Sequence, residues 1–154
     1  MPMTLDQLRN QLSAIEADES TYAGIGASEV PLLEQLLQDD EDWMAARAVF
    51  ALSRVPHARA VTLLSQASAD PRQAVRVAVA ASVTKLASQD ANTILLPLLN
   101  DTALGVRKLA IRAVSSVHDA AVHAQLRNLE TRDPAPVIRE LAKDRVRELR
   151  LNNP

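Results

Sequence analysis

The sequence predicts an all-α solenoid of about four stacked helical hairpins behind an N-terminal capping helix. A unit of about 31 residues repeats along the chain, and the apolar residues of each unit follow helical spacing. Only 2% of the residues are aromatic and three are glycine, so the 47% hydrophobic content is mainly Ala, Leu and Val. This composition favours close packing of helices over β-structure.

The repeat is marked by an aspartate that follows each leucine-rich segment. The four aspartates are spaced 31, 31 and 32 residues apart, and they are Asp39, Asp70, Asp101 and Asp133. Apolar residues occur 5, 9, 13 and 16 positions after each aspartate, which places them on one face of an α-helix. Each unit therefore has a helix, here helix B, that begins just after its aspartate, with Asp70 and Asp133 predicted as N-caps ahead of a proline.

A second helix, helix A, precedes each aspartate. The apolar segments that predict the A helices lie at 30–37, 61–67, 94–99 and 122–129. Ser28, Asp90 and Asp119 are candidate N-caps for three of them. Pro97 lies inside the third A helix and is expected to kink it, because proline removes a backbone donor.

The predicted boundaries place a single domain over residues 1–154. Its four repeats are predicted at 28–55, 59–87, 90–117 and 119–150. Thr4 and Gln7 form a capping-box pattern at the start of a capping helix over 4–17. The apolar stripe of that helix is predicted as Leu5, Leu8, Leu12 and Ile15. Residues 18–27 are predicted to form an exposed loop.

The pattern Asp-x-x-x-x-Val-Arg-x-x-Ala is complete from Asp101 to Ala110, and close versions begin at Asp70 and Asp133. This pattern resembles the signature of HEAT repeats, and the resemblance covers about four fifths of the chain. It implies a right-handed α-solenoid. The first unit departs from the pattern, because it carries Ala45 in the arginine column, as end repeats often do.

The arginine of each unit is predicted to have a structural role. Six residues along a helix turn Arg76 by a net angle of about 240° away from Asp70, so the two side chains are not expected to pair. The resemblance to HEAT repeats implies that the arginine instead reaches the loop or the aspartate of the adjacent repeat. A group that recurs once per repeat belongs to the architecture of the repeat.

Candidate catalytic and metal-binding groups are few. Cysteine is absent, which excludes disulfides and thiolate chemistry. The histidines are His57, His118 and His123, and the last two are five positions apart and share no helical face. The acidic run 39–42 lacks the alternating ligands and central glycine of a calcium loop, and is interpreted as a complement to a helix dipole. We therefore predict no enzyme, cofactor or metal site.

The predicted binding surface lies on the B helices. In proteins similar to HEAT repeats the B helices line the concave side, so B positions outside the apolar stripe are candidates for partner binding. They are apolar in the first two units and basic in the last two, and the residues predicted are Val49, Phe50, Val77, Ala81, Lys108, Ile111, Arg112, Lys143 and Arg147. Val77 and Ile111 are interpreted as surplus to hairpin packing. The alternative is that these side chains pack against neighbouring helices.

The function predicted is a non-enzymatic, cytoplasmic module that binds another protein. One alternative is an accessory subunit of a modifying enzyme, similar to phycobilin lyase subunits. Another is nucleic-acid binding through residues 76–154, whose net charge is +4, although the net charge of the whole chain is −2. Residues 1–75 have a net charge of −6, and this polarity would permit head-to-tail self-association. No run of about 20 apolar residues predicts a membrane span.

Overall fold

The structure is a computed structural model that describes residues 2–115 and 119–152. Within these residues the chain forms α-helices and short 3₁₀ turns, without a strand. The helices are α1 (Leu5–Leu12), α2 (Val30–Leu37), α3 (Asp42–Leu52), α4 (Ala58–Ala67), α5 (Gln73–Ser82), α6 (Ser88–Leu98), α7 (Leu104–Ala113), α8 (Ala120–Arg132) and α9 (Pro136–Asn152).

The helices stack as four hairpins behind α1. The B helices α3, α5, α7 and α9 contact one another in sequence, and the A helices α2, α4, α6 and α8 form a second row. Between the rows runs one core, in which each A helix contributes a fully buried leucine at the same repeat position. These leucines are Leu33, Leu64, Leu95 and Leu126. The prediction of an all-α solenoid with four hairpins is confirmed.

The first helix begins as predicted and ends early. Thr4 Oγ1 accepts a hydrogen bond from the Gln7 backbone N–H at 3.2 Å, and Gln7 Oε1 accepts one from Thr4 N–H at 2.9 Å, so the capping box is confirmed. The helix is shorter than the predicted segment 4–17, because Ser13 takes the C-cap position. Ile15 therefore lies beyond the helix and is 98% exposed, which corrects its placement in the apolar stripe.

The aspartates that mark the repeat stabilise the turn that precedes each B helix. Each carboxylate accepts a hydrogen bond from the backbone N–H two residues later, at 2.8–2.9 Å. The helices begin three residues after each aspartate, at Asp42, Gln73, Leu104 and Pro136. The prediction that Asp70 and Asp133 are N-caps is therefore wrong, because their carboxylates stabilise a turn that precedes the helix.

The predicted caps of the A helices have mixed outcomes. Asp119 caps α8, and its carboxylate accepts from Val122 N–H at 2.9 Å. Ser28 lies in a 3₁₀ turn ahead of α2, and Asp90 lies inside the first turn of α6, so neither is a cap. Pro97 is in the last turn of α6, where its missing N–H removes the helical donor for the carbonyl four residues earlier, and the kink there stays a prediction.

The connection between α1 and α2 is fastened to the hairpins by ion pairs. The Glu19 carboxylate accepts hydrogen bonds from Arg54 Nε and Nη2 at 3.0 and 2.6 Å, and Lys85 Nζ lies 3.7 Å away. The Arg54 guanidinium also stacks over the Tyr22 ring, 4.2 Å from its centroid. The loop predicted at 18–27 is thus attached to both the first and the second hairpin.

The hydrogen bonds from Arg54 lower the pKa of Glu19 from 4.5 to about 2. A carboxyl with a depressed pKa in the folded state stabilises the fold above its unfolded pKa, and this contribution is lost as the pH falls from 4.5 towards 2. We expect NMR-detected titration to place the Glu19 pKa near 2, and Arg54→Ala to return it towards 4.5. Arg59→Ala, which removes the partner of Glu34, is the control and should leave it unchanged. A Glu19 pKa near 4.5 in the unmodified chain would contradict the ion pair.

Candidate partner-binding surface

Two arginines of the repeat hold successive B helices in register. Arg76 Nε pairs with Asp101 Oδ2 of the next unit at 2.8 Å, while its Nη1 donates to the Asp70 carbonyl of its own unit at 2.9 Å. Arg107 forms the corresponding ion pair one unit later: its Nε lies 2.9 Å from Asp133 Oδ2, and its Nη2 donates to Asp133 Oδ1 at 3.1 Å. These side chains are 3–15% exposed. The predicted cross-repeat ladder is confirmed.

The junction between the first and second units is held by an arginine outside the repeated column. With Ala45 in the arginine column, Asp70 is bound by Arg72 of its own turn, whose Nε lies 3.0 Å from Asp70 Oδ1. Arg72 also donates to two backbone carbonyls of the first unit, at 2.6 and 2.8 Å. Arg9 of α1 pairs with Asp39, which joins the capping helix to the first hairpin. Sequence reasoning missed Arg72, because it lies outside the repeated column.

Two of the predicted binding residues are in the core. Val49 and Ile111 are fully buried, as is Ala80 at the same repeat position of α5. Because the B helices stack directly on one another, α3, α5 and α7 each bury this second apolar position against a neighbouring helix. The interpretation of Ile111 as surplus to packing is therefore wrong, and the alternative, packing against a neighbouring helix, is correct for Val49 and Ile111.

Two others lie at the end of the stack. Lys143 of α9 occupies the repeat position at which Val49 and Ile111 are buried, but it is exposed. Lys143 and Arg147 line a cleft of about 330 Å³ with Arg127 of α8. The predicted basic end of the binding surface is thus separate from the residues of α3, α5 and α7.

The other five predicted residues lie on a common face of consecutive helices. Phe50 of α3 and Val77 of α5 are half-buried and pack at the edge of the core, and Ala81 is exposed. On α7, Lys108 is half-buried and Arg112 is exposed. These positions lie 7 and 11 residues after the aspartate of their unit, so they are about one turn apart on the same helical face.

The same face includes three residues that sequence reasoning missed. Trp43 lies two helical turns before Phe50 and is 47% exposed. Glu140 and Asp144 of α9 occupy the repeat positions of the two cations on α7, and both are exposed. Comparing the same repeat positions in the fourth unit would have identified Glu140 and Asp144 from the sequence. We define the B-helix face as Trp43, Phe50, Val77, Ala81, Lys108, Arg112, Glu140 and Asp144.

The charges on the B-helix face have no partners within residues 2–115 and 119–152. No ion pair within 4.0 Å and no side-chain hydrogen bond involves Lys108, Arg112, Glu140 or Asp144 there. Along the stack, the face is apolar on α3 and α5, cationic on α7 and anionic on α9. It therefore offers apolar contact beside charges that are free to bind.

The histidines do not form a catalytic or metal-binding group in the part of the chain that is described. His57 Nδ1 accepts from Arg59 N–H at 3.1 Å and so caps α4. His123 is on α8, and His118 lies outside the described residues. No three His, Asp or Glu side chains converge there as metal ligands. Among the described helices, none is both long and apolar enough to cross a bilayer.

Comparison with known proteins agrees with this architecture. A designed armadillo repeat protein, solved in complex with the peptide (KR)4, is similar with a TM-score of 0.57 and 17% identity over 94% of this chain and 81% of that chain. At this identity the similarity concerns the fold alone. No curated protein matches the sequence. The family model of HEAT repeats matches residues 29–114 and again residues 60–147. Each match covers more than half of the sequence, and the chain therefore belongs to the HEAT-repeat family.

Proposed function

We propose that this chain is a non-enzymatic, cytoplasmic scaffold that binds a segment of a partner protein along its B-helix face. The observation that carries this proposal is the continuity of that face. Four stacked helices present apolar side chains beside four charges that have no partner among the described residues. A repeat scaffold of this kind is typical of protein-interaction modules, because stacked units create an extended surface.

The residue types on the B-helix face support protein binding. Tryptophan and arginine are enriched among the residues that dominate binding energy at protein interfaces, and Trp43 and Arg112 are both exposed here. Phe50 of α3 and Val77 of α5 are half-buried on the same face and offer apolar surface that a partner can bury. The apolar half of the face would supply affinity, while the charged half would select the partner.

The structural similarity gives a second line of support. The designed armadillo repeat protein was solved with a peptide, (KR)4. The B-helix face of this chain could take a peptide in a comparable way, because its helices form one continuous row. Nucleic acid is a poorer fit, since Lys108 and Arg112 are followed on α9 by two carboxylates and not by further cations.

The experiment is affinity capture from the native cell with the full chain and two single-glutamate variants. Val77→Glu places a charge on the apolar half of the B-helix face and is expected to reduce capture at least about tenfold, because the charge must be buried against the partner. Thr62→Glu, at an exposed position of α4 in the other row of helices, is the control and should capture normally. Circular dichroism should show equal helicity for all three chains.

Trp43 provides a direct reporter of the same event. It is the only tryptophan of the chain, so its fluorescence reports on the B-helix face alone. Adding the captured protein should shift the emission of Trp43 to shorter wavelength as water is excluded. Equal capture by the Val77→Glu and Thr62→Glu variants, with unshifted Trp43 emission, would refute binding at this face.

A further inference from the structure

We infer that the partner segment is a polyproline II-like stretch of about ten residues. Every third residue of this stretch faces the B helices, and these four residues are apolar, apolar, acidic and basic, in that order. The inference rests on the proposed function, and it specifies the chemistry of the partner. It follows from the order of side chains on the B-helix face, from the spacing of packed helices, and from charges that have no partner in the part of the chain that the structure describes.

The order of side chains is set one helix at a time. Trp43 and Phe50 make the contribution of α3 apolar and aromatic, and Val77 does the same for α5 with an aliphatic side chain. On α7 the two cations Lys108 and Arg112 lie one helical turn apart. Glu140 and Asp144 repeat that arrangement on α9 with the opposite charge. Each helix thus presents one chemical character to a segment that crosses the row.

The spacing of the helices selects the conformation of the segment. Packed helices lie about 8–10 Å apart. A polyproline II helix has three residues per turn and rises about 3.1 Å per residue, so the same side of the segment recurs every ~9 Å. A β-strand returns to the same side about every 6.6 Å, and an α-helix about every 5.4 Å. Only the polyproline II period places one side chain on each successive B helix.

The unpaired charges define what the second half of the segment must carry. A carboxylate of the partner would lie between Lys108 and Arg112, and an ammonium or guanidinium three residues further would lie between Glu140 and Asp144. Arg112, Glu140 and Asp144 are exposed and Lys108 is only half-buried, so each pair adds little affinity. Exchanging the acidic and basic residues of the segment would bring like charges together at both helices. The charged half therefore determines specificity.

The test is selection from a displayed library of random 12-residue peptides with the full chain and with a charge-swapped variant. That variant carries Lys108→Glu, Arg112→Glu, Glu140→Lys and Asp144→Lys, so its net charge equals that of the unmodified chain. The unmodified chain should enrich peptides of the order apolar, apolar, acidic, basic, with a period of three. The charge-swapped variant should enrich the order apolar, apolar, basic, acidic. Synthetic peptides of the two orders should differ about tenfold in Kd for each protein, in opposite directions.

A variant with neutral side chains at the same four positions keeps the test valid if the charge-swapped variant misfolds. It carries Lys108→Gln, Arg112→Gln, Glu140→Gln and Asp144→Asn, and it should enrich apolar anchors without a charge order. Circular dichroism should show unchanged helicity for both variants, because the four side chains have no partners in the described part of the chain.

The outcomes separate this inference from the proposed function. If both proteins enrich the same apolar peptides without a charge order, the inference is wrong and binding at the B-helix face stands. A charge order with a period of two or four residues would overturn the polyproline II conformation. If neither protein enriches any peptide beyond what the Val77→Glu variant enriches, the proposed function and the inference both fail.

Discussion

Replacing Arg107 with alanine is expected to lower the free energy of unfolding by about 3–5 kcal/mol. The guanidinium joins α7 to the next hairpin through the Asp133 carboxylate, which is only 3% exposed. Without Arg107, that carboxylate keeps a hydrogen bond from Ala135 N–H at 2.9 Å but loses its ion pair, since Arg139 donates to the Asp133 carbonyl and not to the carboxylate. The Asp101 carbonyl would also lose its bond to Nη1. Urea denaturation followed by circular dichroism measures the loss.

Arg112→Ala is the matched control for this prediction. Arg112 is on the same helix and carries the same charge, but it is exposed and has no partner among the described residues. Its replacement should change the free energy of unfolding by less than about 0.5 kcal/mol. If Arg107→Ala proved as mild as Arg112→Ala, the ladder would not stabilise the stack.

The ladder also connects the stability of the fold to the geometry of the B-helix face. Arg107 fixes the position of α7 relative to the hairpin that contains α9, and these helices carry the two oppositely charged parts of the B-helix face. The pair of Arg76 with Asp101 does the same for α5 and α7. The proposed partner segment contacts each B helix with one side chain, and this requires a fixed spacing between the helices. The buried ion pairs therefore maintain the register of the surface that a partner would meet.

The ladder could be predicted because its residues recur. A column that repeats in three of four units, with a period matching two helices and their turns, indicates a shared structural role. The starts of the B helices were harder to place, because an aspartate carboxylate can accept either from the first turn of a helix or from the turn ahead of it. Arg72 could not be foreseen, because only the folded turn brings it to Asp70 and to the carbonyls of the first hairpin.

The accessible positions of the B helices were predicted only in part, for a geometric reason. The apolar spacing of 4, 4 and 3 identifies the face that a B helix buries within its own hairpin. It does not show that the stacked B helices bury a second row, which holds Val49 and Ile111. In contrast, Arg112 is exposed and Lys108 is half-buried, because cations are seldom fully buried without a partner.

Ile111→Ala provides the sharpest test of that distinction, with an expected loss of about 2–5 kcal/mol in the free energy of unfolding. The side chain is fully buried between stacked units, so its truncation leaves a cavity that the rigid neighbours fill only partly. Urea denaturation gives the loss directly. Peptides selected on the unmodified chain should still bind the folded Ile111→Ala variant with unchanged Kd, because no atom of the B-helix face is removed.

Val77→Ala is the matched comparison, since it truncates an aliphatic side chain that is half-buried on the B-helix face. It should cost less stability than Ile111→Ala, because less of its surface is removed from water. Its effect on peptide binding should be the larger of the two, since a partner would cover that side chain. If Ile111→Ala instead changed the free energy of unfolding little and weakened peptide binding strongly, Ile111 would belong to the accessible surface. Stability and affinity measured on the same pair of variants thus distinguish the row that joins the units from the row that meets the partner.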